Sequence, residues 1–203
     1  MLARATSRGV TLIELMIGLA IFAMLLGLGL PSLSAWLANT RVRTAAEGLQ
    51  AGLAMARSEA MRRNQNVEFL VTNETIDLGT VATAAPAADG MHWLVRFIDP
   101  AIASYSMVDS RSGFEGTGRA EGQAPAVQIA ASDPLIVFRG MGGTNLGALA
   151  TFDVSNPSAG ACHTNGAPSP IRCLRVQVSV SGLIRLCDPS VDPILYPGDT
   201  RAC

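Results

Sequence analysis

Glu14 is the first residue that poses a chemical question. It lies inside Val10 to Leu30, VTLIELMIGLAIFAMLLGLGL, an almost unbroken apolar run. A carboxylate at mid-membrane costs about 2.5–3.5 kcal/mol on insertion scales and calls for a partner. In one reading Glu14 lies near the interface and its carboxylate reaches water. In the other, hydrolysis supplies the partner. Cleavage between Gly9 and Val10 creates an α-amine four residues before Glu14, on the same helical face. When the helices of two subunits pack, Glu14 of one meets the amine of the other. Two charges that are each costly in apolar surroundings then neutralise one another.

The remaining reactive side chains are few. Cys162, Cys173, Cys187 and Cys203 all fall in the last quarter of the chain. Four cysteines allow three pairings, and sequence does not choose among them. Local pairing is the expectation: Cys162 with Cys173 around a Gly/Pro-rich loop, and Cys187 with Cys203 across the C-terminal tail. Each bridge would add about 2–4 kcal/mol in an oxidising compartment. A zinc site is the rival, but no CxxC pair occurs and His163 directly beside Cys162 is not a usual ligand spacing. No metal and no cofactor are expected. His92 opens a strand-like run and reads as structural. Neither a Cys/His nor a Ser/His/Asp arrangement is apparent, so no catalytic residues and no enzyme are expected. Gly140-Met141-Gly142-Gly143 lacks the Lys-Ser/Thr ending of a phosphate loop and reads as a turn between strands.

These residues need elements to carry them. The 203 residues suffice for one globular domain and an extended N-terminal element. The net charge of −1 implies no strongly charged partner surface overall, and every basic residue is Arg. The 21 residues from Val10 to Leu30 would span roughly 32 Å as a helix, enough for a bilayer's hydrocarbon core. A buried core helix would be striped, and this run is apolar all round. A cleavable signal peptide ending near Ser32 and Ser34 is a second reading, but its apolar part would be unusually long and would carry Glu14. The third is a retained anchor, oriented by Arg4 and Arg8 so that the C-terminal domain lies outside the cytoplasm.

Arg8-Gly9-Val10-Thr11-Leu12-Ile13-Glu14-Leu15 closely resembles the processing motif of type IV prepilins. The resemblance implies that residues 1–9 are a leader removed by a prepilin peptidase, and that Gly9–Val10 is the cleaved bond. It further implies that Val10 is N-methylated by the same enzyme and that Glu14 is the assembly carboxylate. Pro31 falls where pilins commonly kink their helix. Val10, where Phe is usual, is a mild departure. The implied partners are the peptidase, the inner membrane, and other pilins or pseudopilins met through the N-terminal helix.

Beyond Pro31, Val42, Ala45, Ala46, Leu49, Leu53, Ala56 and Ala60 recur at steps of three and four. This predicts an amphipathic continuation of the helix over 31–64 with one small-residue face toward a sheet. Glu59 and Arg63 stand at a favourable i,i+4 spacing, and Asn64-Gln65-Asn66 is a polar exit. A β-rich domain over 65–203 follows. Strands are expected at Val67 to Val71, His92 to Ile98, Leu135 to Phe138, Thr151 to Val154 and Ile171 to Val180. Ser181-Gly182 reads as a tight turn into Leu183 to Cys187. Gly79 to Gly90 and Asp99 to Pro125 read as mobile surface loops. The fold class expected is α+β: a long N-terminal helix packed on antiparallel sheet.

Arg41-Val42-Arg43-Thr44-Ala45-Ala46-Glu47 and Ala56-Arg57-Ser58-Glu59-Ala60-Met61-Arg62-Arg63-Asn64 are similar to the helix of the FimT/GspH group. That group comprises minor pilins of type IV pili and minor pseudopilins of type II secretion systems. The likeness covers the first third well and the rest by pattern. It implies an inner-membrane, single-pass protein whose domain faces the periplasm and which later enters a filament. Assembly or initiation of a type IV pilus is the leading function, and the H-type pseudopilin is the alternative. Some members of the group bind DNA through Gly-Arg-x-Arg on the late hairpin. Here that stretch is Gly182-Leu183-Ile184-Arg185, so half the motif is missing. Arg175 and Arg185 could still form a basic patch with Arg172 and Arg201, but DNA is not the favoured partner.

Overall fold

The computed structural model describes residues 11–114, 125–164 and 166–203, with positions 26 and 28–31 described by backbone alone. The processing site expected at Gly9 and Val10 therefore lies outside the described residues. The described residues fall into two units, one up to Leu37 and one from Ala38 onward.

Among the described residues there is one helix, α1, which runs Leu12–Arg63 and continues through Pro31. It stops where its pattern stops. Asn64 takes a left-handed φ of 52° and Gln65 N–H donates back to the Ala60 carbonyl at 3.2 Å. Such a turn satisfies carbonyls that the helix end would otherwise orphan. Just inside the end, Glu59 binds Arg62 at 2.6 Å and Arg63 at 2.7 Å. Hydrogen bonds from Arg62 and then Arg63 hold the Glu59 carboxyl down at about 2.

Among the described residues nine strands follow: β1 Val67–Thr72, β2 Asp89–Gly90, β3 His92–Asp99, β4 Ser104–Arg111, β5 Gln128–Ala131, β6 Leu135–Phe138, β7 Ala150–Ser155, β8 Leu174–Val178 and β9 Ile184–Cys187. They make two sheets, β4-β3-β1-β6 and β2-β5-β7-β8-β9, and every named pairing is antiparallel. The α+β class is the one observed.

One core joins the helix to both sheets. Val42, Ala46, Leu49, Leu53, Ala56 and Ala60 pack with Phe69, Trp93, Val95 and Ile136 of the first sheet. They pack also with Ile129, Phe152, Val154, Val176 and Val178 of the second. The period-2 alternation of β7 and β8 sends these residues inward and Asp153, Arg175 and Gln177 outward. Each fully buried Leu here contributes about 1.5–3 kcal/mol. The small residues on the stripe let the helix come close. At Gly52 a Cβ would stand 2.7 Å from two ring carbons of Trp93.

Three expectations need correction. Residues 104–111, read as part of a mobile loop, form β4 along β3, with a bulge at Val95/Arg96. The polar sequence Ser-Tyr-Ser-Met-Val-Asp-Ser-Arg suits an edge strand that buries little, so it lacks an apolar signal. The loop expected at 79–90 instead lies over the outer face of the first sheet. There Val81 and Ala84 are buried against Leu70 and Leu94, with Ile76, Tyr105 and Leu135 beside them. Third, β8 begins at Leu174 rather than Ile171, because Ile171 and Cys173 are engaged in the Cys162 loop.

The Gly-rich segment after β6 is a turn. Gly142 N–H donates to the Arg139 carbonyl at 2.7 Å and Arg139 N–H to the Gly143 carbonyl at 2.8 Å. Gly142 and Gly182 both have φ of +81°, and a Cβ on Gly182 would collide with the Gly142 carbonyl oxygen. Both positions need glycine for conformation, and Gly182 needs it for closeness as well.

Candidate functional site

At the start of α1 the sequence Thr11-Leu12-Ile13-Glu14 folds into a capping box. Glu14 N–H donates to Thr11 Oγ1 at 3.3 Å, and Thr11 N–H donates to Glu14 Oε2 at 3.5 Å. Each residue satisfies an amide that the helix start leaves without an intrahelical acceptor. The carboxylate is exposed and has a local partner within one chain, a role that the cost-of-burial reasoning had not included. Around it Leu12, Ile13, Leu15, Met16, Ile17, Leu19, Ile21, Phe22, Met24 and Leu25 are each more than half exposed. Exposed apolar side chains on every side of a helix mark an interaction surface. Among the described residues, no helix is long and apolar enough to cross a membrane. The Val10 to Leu30 run extends past them, since Val10 and the side chains at 26 and 28–30 are not described.

The late hairpin carries the two arginines considered for nucleic acid. In the β8–β9 register Arg175 lies opposite Cys187 and Gln177 opposite Arg185, so both guanidinium groups lie on the outward face. Each is engaged within the chain. Arg175 makes a two-pronged pair with Asp153 across β7, at 2.7 and 2.9 Å. That carboxylate raises the Arg175 pKa further. Arg185 Nη2 donates to the carbonyls of Ala202 at 2.7 Å and Thr200 at 3.0 Å. Arg172 lies 3.7 Å from Asp188, and Arg201 is paired with Asp199 at 2.7 Å. The hydrogen bonds from Arg201 hold the Asp199 carboxyl at about 2. Each of the four arginines already faces a carboxylate or carbonyl.

The cysteines are bonded Cys162 to Cys173 and Cys187 to Cys203, with Cα separations of 5.4 and 5.2 Å. The first bridge closes a loop that docks on α1 through one side chain. Asn39 Nδ2 donates to the Pro170 carbonyl at 2.8 Å, and its Oδ1 accepts from Arg172 N–H at 2.8 Å. The second bridge closes the tail onto β9. Among the described residues no group of His, Cys, Asp and Glu is arranged to hold a metal ion.

A polar cluster that sequence reasoning missed lies on the outer face of the first sheet. Arg96, 7 % exposed, donates Nε to Glu68 Oε2 at 2.8 Å and Nη1 to the carbonyls of Val81 at 2.8 Å and Ala84 at 3.3 Å. Tyr105 hydroxyl donates to the other Glu68 oxygen at 3.0 Å, and its ring lies 4.2 Å from the Arg96 guanidinium. The cluster ties the loop after β1 to the sheet. The one signal available was a lone Arg within the apolar run Trp93-Leu94-Val95-Arg96-Phe97.

The family model described as type II transport protein GspH matches residues 45–182, about two thirds of the chain. The prokaryotic N-terminal methylation motif matches residues 4–30. No curated relative matches. Among solved structures, the minor pilin FimU of Pseudomonas aeruginosa superposes with a TM-score of 0.50 at 18 % identity. That match covers 75 % of this chain and 92 % of FimU. The minor pseudopilin EpsH of the type 2 secretion system of Vibrio cholerae gives 0.45 at 14 % identity, covering 74 % and 99 %. The likeness to FimU shows a shared fold.

Proposed function

We propose, from the premise that this chain belongs to the GspH family and is a minor pilin or pseudopilin, that it acts in the assembly and initiation of a type IV pilus. The observation that carries the pilin-type part of this reading is the N-terminal motif, Gly9-Val10-Thr11-Leu12-Ile13-Glu14, in register with an exposed apolar helix. In this reading residues 1–9 are the leader, and residues 10–30 hold the subunit in the inner membrane and then pack in the filament core. Residues 31–64 continue the helix, and the domain 65–203 lies in the periplasm. Prepilin peptidase cuts after Gly9 and methylates Val10. The protein is structural and not an enzyme.

The mechanism is an exchange of partners at Glu14. In a lone subunit its carboxylate caps its own helix through Thr11. During assembly it turns to the α-amine of a neighbouring subunit, which is charge-assisted and sits in a drier environment, so the bond there is stronger. Glu14→Ala is therefore processed normally and enters filaments poorly. Normal incorporation of that variant would refute the exchange.

The secretion machine uses the same motif, so function is assigned by loss. Deleting the gene is expected to abolish surface pili and leave secreted proteins at their normal level. Intact pili with lost secretion would assign the chain to a type II secretion system. DNA binding is not part of this reading, because Arg175 and Arg185 are engaged by Asp153 and the tail carbonyls.

A further inference from the structure

We propose that Arg185 is the positioning residue for the Cys187–Cys203 disulfide: it docks the C-terminal tail so that Cys203 stands beside Cys187 before the bond exists. β9 places Arg185 and Cys187 two residues apart on one outward face. From there the guanidinium holds the carbonyls of Thr200 and Ala202, immediately before Cys203. Asp188 N–H donates to the Arg201 carbonyl at 2.7 Å, and Asp188 and Ala202 form a parallel bridge. Ala202 is only 6 % exposed. None of these contacts involves a sulfur atom. The Cys162–Cys173 bridge has its own support, including His163 N–H to the Ile171 carbonyl at 2.7 Å.

The oxidation balances with a low-molecular-weight disulfide as oxidant. Cys203 is exposed and Cys187 is 3 % exposed, so the Cys203 thiolate is the one that reaches the oxidant. It attacks one sulfur of the small disulfide and releases one small thiolate. The Cys187 thiolate then attacks the Cys203 sulfur and expels the second. Two protein thiols lose two electrons and two protons, and one small disulfide becomes two thiols. The second step closes a loop of sequence separation 16. Its rate and equilibrium depend on how often the tail already lies against β9. Charge-assisted bonds to two carbonyls raise that fraction about tenfold or more. This inference rests on the geometry of the tail and is independent of which machine the subunit serves.

The test is a redox titration of the full chain in detergent against reduced and oxidised glutathione, read by alkylation and peptide mass for each cystine separately. Arg185→Gln is expected to lower the effective concentration of the Cys187–Cys203 couple about tenfold or more, with Cys162–Cys173 unchanged. Arg185→Lys, which keeps a cation with donors, is expected to fall between wild type and Arg185→Gln. An unchanged Cys187–Cys203 couple would overturn the proposal. So would a parallel fall in both couples, which reports general destabilisation, or a Lys variant no better than Gln.

Discussion

Replacing Arg96 by Met tests whether the cluster on the outer sheet face holds the loop after β1. The substitution keeps the volume along β3 and removes every donor. Glu68 then loses its 2.8 Å ion pair, and the carbonyls of Val81 and Ala84 lose their shared Nη1. Removing one member of a buried pair costs about 3–5 kcal/mol, because the other charge is left in a poor solvent. Most of that penalty belongs to Glu68. Removing the whole cluster as Glu68→Leu/Arg96→Met/Tyr105→Phe should therefore cost less, about 1–3 kcal/mol for the carbonyls left without a donor. The assay is denaturant unfolding of all variants with amide exchange read over residues 77–85. Exchange in that loop should quicken in both variants, and the global loss should be larger in the single one. A single-variant loss under about 1 kcal/mol, or a combined variant less stable than the single, would refute the burial reasoning.

Two further predictions concern α1. Gly52→Ala normally gains about 0.5–1 kcal/mol in a helix interior, but here the new methyl meets Trp93, itself stacked on Phe69 at 5.7 Å between centroids. Overpacking costs about 1–3 kcal/mol, so the variant should unfold at lower denaturant; a raised midpoint would count against this contact. Glu59 titrates at about 2 when folded against 4.5 when free. The sign follows: its contribution is fully present above the free value and is lost as pH falls through the folded one. The stability gap between wild type and Glu59→Gln should therefore shrink as pH drops from 4.5 toward 2, and a gap constant over that range would refute it.

The helix stripe and six strands were legible because their signals are local. Val42 to Ala60 repeats with the helix period, and β7 and β8 alternate between core and outward face. What was not legible depends on register or on distant partners. Ser104–Arg111 becomes a strand only because β3 offers it an edge. Val81 and Ala84 are buried in a loop with no period of its own. Arg96 meets Glu68 across a separation of 28 residues. Arg175 and Arg185 were readable as sharing a hairpin, but Asp153 and the carbonyls that occupy them come from β7 and the tail. Glu14 was readable as a carboxylate in search of a partner, and its capping bond to Thr11 follows from a spacing that the apolar run obscured.

The mass of the intact protein recovered from sheared filaments tests the processing and assembly reading most directly. A chain beginning at Val10 and carrying one added methyl group on its α-amine is the predicted result. A chain that keeps residues 1–9, or one that begins at Ser34 or Ala35, would contradict it.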